Sequence, residues 1–367
     1  MATLTFEPSG IRDDYARAYL SPMMRAGTRE FVANVHARLG VVQGDGFALP
    51  IAFDFERGDS YVVSPLSHYV GYGAEELSKL GRPRVEATLR SVLKSVGSGL
   101  EASGFDEVVS VNNWLLSTNL WPPLSTSEVR DVLEALVATF PNRPILFRSL
   151  DLARNALTFG ALSSLGCVPL FSRVVHYQDP RRADFWHVRQ LREDERRVRK
   201  VPAELVTTFT DDDLARVKVL YDDLYLRKYS TFNPQFTVAF LRNARDEGLL
   251  DLRGWRVDGE LVAAWGAFVR SGVMTVPVFG YDTAASKKLA LYRLSSLEVS
   301  RRARERGLLV NASGGVGAFK KARSGVTTVE FNLVFTRHLP WRRRLAWSAL
   351  GRFLDRVAVP IILHGEY

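Results

Sequence analysis

The stretch NASGGVGAFKKARSG, residues 311–325, sets three glycines directly before a phenylalanine and a pair of lysines. The apolar run LLVNAS leads into it and TTVEFNLVFTRH follows, and both read as strands, so it is a strand-to-helix connection inside an α/β fold. Two nucleotide-binding readings fail on spacing. A dinucleotide fingerprint, G-x-G-x-x-G, needs a third glycine where Lys320 stands, and no ribose-binding acid sits in a βαβ unit of the right size. A phosphate loop needs Gly-Lys-Ser/Thr, whereas this lysine follows Phe319. Two readings stay open. Either Lys320 sits just inside a short helix, after a glycine turn that lets backbone approach a ligand, where cation and helix start favour a developing oxyanion. Or the turn is a plain connection whose lysines point to water.

Working outward, the second half reads as a series of well-punctuated elements. TDDDLARVKVLYDDLYLRKYS is a capped helix, and PQFTVAFLRNARDEG is a helix with proline in its first turn and glycine at its end. LLDLRGWRV and ELVAAWGAFV form a hairpin, because the Asp258-Gly259 pair between them suits a type I′ turn. GVMTVPVFGYD is a third strand and KLALYRLSSLEVSRRARERG a long helix. The first half has a comparable order: SYVVSPL as a strand, RVEATLRSVLKSVGSGLEASG as an amphipathic helix, and STSEVRDVLEALVATF opening on a Ser125–Glu128 capping box. RPILFRS and CVPLFSRVVHY follow as strands around the helix DLARNALTFGALSSLG. The expected organisation is two domains, 1–180 and 203–367, joined by a charged linker helix at 181–202. A basic helix near 341–356 and a last strand, VAVPIILHG, are free to pack back on the first domain.

With 367 residues, 46% of them hydrophobic, the chain exceeds what one core usually supports, which fits two domains. Its net charge of +9 favours a polyanionic partner, such as RNA or a CoA or phosphopantetheine thioester. The single cysteine, Cys167, sits in an apolar run and fits a buried inert thiol in a reducing compartment. The first twenty residues lack the long apolar run of a signal or anchor, so a cytoplasmic protein without membrane contact is expected. His36, His68, His176, His187, His338 and His364 are scattered without metal-ligand spacing, so no metal is expected.

The order helix, helix, hairpin, VFGYD, long helix, short strand and GGVGAFKKARSG resembles the second acyltransferase domain of the FemABX family. The residues that carry the resemblance are Ala303, Gly307, Gly317, Phe319, Lys320 and Gly325. In the first half SPLSHYVGYGAEEL is similar too. The resemblance implies two tandem GNAT-like domains, each a mixed, largely antiparallel sheet flanked by helices. It also implies transfer of an aminoacyl group from aminoacyl-tRNA to an amine, with no resident cofactor. On this resemblance Lys320 stabilises the tetrahedral intermediate and Phe319 lines the same pocket. Peptidoglycan-building members often carry a coiled-coil arm, for which no heptad run is present, so a soluble amine of specialised metabolism is the implied acceptor.

Around that turn, Asn311, Ser313, Gly315 and Gly317 are candidate substrate contacts. Asp282 either takes the proton of the amine or caps the next helix. Tyr281, Tyr229 and Asn233 are candidates to orient substrate, Asn233 having the alternative of a helix cap. His68-x-x-Gly71-x-Gly73 approaches the glycine-rich CoA loop of GNAT enzymes; its other reading is a loop whose His68 and Tyr69 line a substrate cleft. Ser286, Lys287 and Lys288 could hold a phosphate or the tRNA terminus. Arg342, Arg343 and Arg344 could contact RNA, or form a solvated helix, because three consecutive arginines cannot share one helix face. Two alternatives to the tRNA-dependent enzyme stay open: an N-acyltransferase using acyl-CoA or a carrier-protein thioester, and an inactive GNAT-like binding module. The oligomeric state is not legible.

Overall fold

The computed structural model describes residues 1–77 and 83–358. Of the strand expected over VAVPIILHG, Val357 and Ala358 instead end the helical turn Leu354–Ala358, and the rest, with His364, lies outside the described residues. Contacts divide the chain into two compact units. Among the described residues the first holds Met1–Ser172, the short segment Ser230–Gln235 and 330–358; the second holds Arg173–Tyr229 and Phe236–Val329. Among the described residues no helix is long and apolar enough to cross a membrane.

In chain order the first unit contributes strands β1 (Thr3–Thr5), β2 (Arg38–Gly44), β3 (Phe47–Phe53), β4 (Val109–Val111) and β5 (Ile145–Asp151). Strand β6 (Val168–Gln178) leads into the second unit, which holds β7 (Glu204–Val206), β8 (Asp251–Val257), β9 (Glu260–Arg270), β10 (Val273–Tyr281) and β11 (Leu309–Asn311). Strand β12 (Val326–Phe335) returns the chain to the first unit. The helices are α1 (Asp14–Ala26), α2 (Gly73–Glu76), α3 (Pro83–Ala102), α4 (Thr126–Thr139) and α5 (Ala156–Leu165) in the first unit. The second adds α6 (Arg189–Val198), α7 (Asp211–Tyr221), α8 (Val238–Asp246), α9 (Leu291–Glu305) and α10 (Gly317–Lys321), and α11 (Trp341–Phe353) closes the first.

The first unit's sheet runs β1-β2-β3-β4-β5-β12, antiparallel except for the parallel β4–β5 pair. Helices α4 and α5 cover one face, burying Val129, Val132, Leu133, Leu136 and Leu162 against Leu49, Ile51, Val109, Ile145 and Phe147. Each such side chain stabilises the fold by about 2 kcal/mol relative to exposure. Helix α4 starts where the sequence places it: the Ser125 side chain accepts from the Glu128 amide, and Glu128 reaches back to Ser125. SYVVSPL, expected as a strand, instead forms turns. Val62 and Val63 are buried, but the backbone folds back on itself, with the Ser64 amide donating to Ser60 O.

The second unit's sheet runs β6-β11-β10-β9-β8-β7, with only β10–β11 parallel among the pairs just inside it. Asp258 and Gly259 both take positive φ, 51° and 84°, so the hairpin turn is as the sequence predicts. Helix α9 covers β9, β10 and β11, placing Leu291, Leu294, Val299 and Ala303 in a core with Trp265, Met274, Phe279 and Val310. Helix α7 opens with a capping box between Thr210 and Asp213. Helix α8 starts later than expected. Its cap is Thr237, which accepts from the Phe240 amide, and Pro234 lies before the helix.

The expected boundaries need revision. Segment 181–202 is not a linker: its helix α6 belongs to the second unit and packs against α9. The physical reason is Leu191 and Asp194, which are both buried on an otherwise charged helix.

Candidate active site

Strand β10 pairs with β11 only from Val273 to Thr275. A β-bulge follows between Thr275 and Val278, after which β10 keeps its pairing with β9 alone as far as Tyr281. The two parallel strands therefore share no pairs past the bulge, and irregularities of this kind re-aim side chains beside active sites. The aromatic end of β10 lies on one side and the turn after β11 on the other.

That turn is built from unusual backbone. Ser313, Gly315 and Val316 all have positive φ, at 58°, 73° and 43°. For a β-branched valine this is a strained conformation, held only because its surroundings determine it. The Asn311 side chain starts the turn, accepting from the Ser313 amide at 2.9 Å and donating to the Tyr177 hydroxyl at 3.1 Å. Helix α10 then spans five residues and carries Phe319 and Lys320. Lys320 points inward, only 7% exposed. Its Nζ donates to the carbonyls of Ala312 at 2.5 Å, Ser313 at 3.2 Å and Gly314 at 2.6 Å. Burial pulls its pKa down to about 7, and the Arg173 charge adds to the effect. Gly325 closes the loop: a Cβ there would lie 2.6 Å from Lys320 O, so only glycine allows this return.

Phe319 sits between two neighbours. Tyr292 meets its ring edge-on at 4.8 Å, and the Arg323 guanidinium lies 3.5 Å from its centroid. Tyr292 in turn contacts Phe279 and Tyr281, forming an aromatic wall along the end of β10. Burial pushes the Tyr292 phenol up to about 12 and raises that of Tyr281, so both rings stay neutral at ordinary pH.

His176 stands in the same region. Its amide donates to Ser313 O at 3.2 Å and its carbonyl accepts from the Ala312 amide at 2.8 Å. Its Nδ1 lies 3.3 Å from Thr327 Oγ1. Burial first, then the charges of Lys320 and Lys321, lower its pKa to about 4, so the ring is neutral. Between pH 6.5 and about 4 the unfolded chain then binds a proton that the folded chain does not, and stability falls as pH drops through that window. A His176→Gln variant is expected to lose part of this acid sensitivity. Urea midpoints at both ends of the window test it, and an unchanged slope would contradict the assignment.

Asp282 is engaged on both oxygens: Oδ1 accepts from the Ala284 and Ala285 amides and Oδ2 pairs with Arg216 at 3.0 Å. Both oxygens are thus tied, one to the turn and one to Arg216. Tyr229 is half-exposed and meets Tyr225 edge-on. Ser286 caps the turn Lys287–Leu289, and Ser286, Lys287 and Lys288 are all exposed.

The remaining candidates belong to the first unit. HYVGYGA is not a loop but a π-helical turn, Ser67–Tyr72, running into α2, which corrects the CoA-loop reading. Gly71 packs against Phe232, whose ring lies 2.7 Å from where a Cβ would sit and would have to shift to admit one. Tyr69 is buried, its hydroxyl accepting from Asn332 at 3.0 Å, and His68 Nε2 lies 3.3 Å from Ser172 Oγ. Asn233 caps no helix; its side chain donates to Ser230 O and accepts from the Tyr61 hydroxyl. Arg343 is committed to Asn142 O, Gly104 O and the Glu107 carboxylate, leaving Arg342 and Arg344 as the exposed members of the triplet. Sequence reasoning passed over Tyr292, His176, Arg323 and Asp194. Only Arg323 had a local signal, its i+4 spacing from Phe319 on a helical turn.

Residues 187–321 match the family model described as an acetyltransferase (GNAT) domain. The crystal structure of FemX superposes with a TM-score of 0.55 at 8% identity, covering 87% of this chain and 91% of that one. The chain has a FemABX-like GNAT fold. Two other solved structures are similar at lower scores. A tandem GNAT protein from the clavulanic acid biosynthesis pathway gives 0.41 at 14% identity, covering 86% of this chain and 87% of its own. L-PGS from Bacillus licheniformis gives 0.43 at 12% identity, covering 62% and 78%. No curated protein sequence matches. The fold is α/β, with mixed, largely antiparallel sheet flanked by helices, as the sequence resemblance implied, and 187–321 is matched as a GNAT domain.

Proposed function

We propose that this acyltransferase of the GNAT type forms an amide bond, moving an aminoacyl group from aminoacyl-tRNA to the amine of a small molecule of specialised metabolism. The observation that carries the reading is the buried Lys320 amine, fixed in a glycine turn beside the bulged end of β10. In the reaction the amine nitrogen attacks the ester carbonyl carbon, a C–N bond forms, and the C–O bond to the ribose breaks. The amine loses one proton and the departing ribose oxygen gains one. Such a step needs positioning and a donor at the carbonyl oxygen more than covalent help.

Lys320 supplies that donor in its ammonium form. An oxyanion takes the place of the weakest of its three carbonyl contacts, Ser313 O at 3.2 Å. Phe319, Tyr292 and Tyr281 form the apolar wall that keeps water from the ester, with Tyr229 at its exposed edge. Asn311 and Ser313, with Gly315 and Gly317, set the turn against which the acyl group lies. The exposed Ser286, Lys287 and Lys288 suit the phosphates of a tRNA terminus.

The match to an acetyltransferase model favours a second reading, in which acyl-CoA or a carrier-protein thioester is the donor. One experiment separates the two. Product formation from amino acid, synthetase, tRNA and acceptor is expected to stop when ribonuclease is added. Unchanged product from acyl-CoA alone establishes the second reading instead.

A further inference from the structure

Asp194 is the most deeply buried acid among the described residues of the second unit, and acyl transfer itself does not use it. The Asp194 side chain is 2% exposed and that of Arg323 6%, although most arginines of the segment around Asp194 face solvent. Arg323 Nε and Nη2 donate to the two Asp194 oxygens at 2.6 and 3.1 Å. Its Nη1 turns the other way and donates to Phe319 O at 3.0 Å, while its flat face covers the Phe319 ring. A guanidinium alone among side chains can make all three grips, because its donors lie in a rigid planar fork.

Asp194 also ties α6 to α9: Arg293 donates to its Oδ1 at 3.2 Å, and the preceding residue on α9 is Tyr292, whose ring meets Phe319 edge-on. The backbone beyond the latch is tied down too: Gln178 of β6 donates to Arg323 O at 3.1 Å. We infer that Arg323, locked by Asp194 of α6, is the positioning residue that sets the Phe319–Lys320 turn for acyl transfer. This rests on the function proposed above. It gives helix α6 a task in catalysis without contact to substrate: it fixes where the Lys320 ammonium sits.

The test uses the full chain with two readouts. Arg323→Ala is expected to lower kcat on the order of a hundredfold, as a small misplacement of reacting groups does, with KM for donor and acceptor little changed. Added methylguanidinium is expected to restore part of the rate and methylammonium none. The second readout needs no turnover: acetic anhydride labelling of Lys320, followed by mass spectrometry, is expected to be faster in the variant. If the unaltered protein transfers nothing from any donor, the proposed function falls, and the labelling still decides the latch. Wild-type turnover in Arg323→Ala overturns the inference. So does a loss that only follows the folded fraction, with Lys320 labelling unchanged. Should Arg323→Ala fail to fold, the apolar double variant Asp194→Leu/Arg323→Met removes the same grips without leaving a buried charge unpaired, and the same outcomes apply.

Discussion

Lys320→Met is expected to lower turnover by on the order of a hundredfold or more while the chain stays folded. Methionine keeps the length and apolar body of the side chain but removes the one cation aimed into the turn. The same lysine predicts a pH dependence with a definite sign. Its folded pKa is about 7, below the ordinary 10.5, so the protonated form needed at the oxyanion disappears as pH rises through about 7. With hydroxylamine as acceptor, which is already neutral in this range, kcat is expected to fall on the alkaline side.

Stability moves the other way. Between pH 7 and 10.5 the unfolded chain holds a proton that the folded chain has lost, so stability rises across that window. Below it the full penalty of burying the charge is present. Lys320→Met is expected to flatten this rise, read from urea midpoints at both ends. A fully active variant, or a rate indifferent to pH on the alkaline side, removes Lys320 from the mechanism.

Gly280→Ala is expected to destabilise the protein by about 3 kcal/mol, the upper part of the range for overpacking a dense interior. A Cβ at this position would lie 2.5 Å from the Leu220 carbonyl carbon and 2.6 Å from both its oxygen and the Tyr221 nitrogen. All three are backbone atoms at the end of α7, so no side-chain rotation relieves the clash. The helix must lift from β10, and Tyr281, next in the strand, moves with it. The midpoint of urea unfolding is the measurement. A midpoint equal to that of the unaltered chain means that α7 approaches β10 less closely than described here.

How far the site could be read in advance depends on what each residue answers to. A glycine turn before Phe319 and Lys320 was legible as a short local pattern, while the roles of those two residues and the choice of Gly317 and Gly325 came from the family resemblance. Asp282 was legible only as a choice between two roles, and its ion-pair partner, Arg216, lies far along the chain on α7. The run SYVVSPL misled because apolar residues report burial, which a buried turn and a buried strand share. HYVGYGA misled for a related reason: its Gly71 packs against the Phe232 ring, a neighbour far along the chain that local spacing does not show.

By itself the sequence determined the elements whose stabilising bonds lie within a few residues. The capping boxes at Ser125 and Thr210, the Asp258-Gly259 turn and the strained glycine turn are of this kind, since their donors and acceptors are close in sequence. Tertiary structure alone decided which charges are buried and what they hold. Asp194 looks like one more acid on a solvated helix until α6 meets α9 and Arg323, because desolvation and ion pairing depend on groups that only folding brings together.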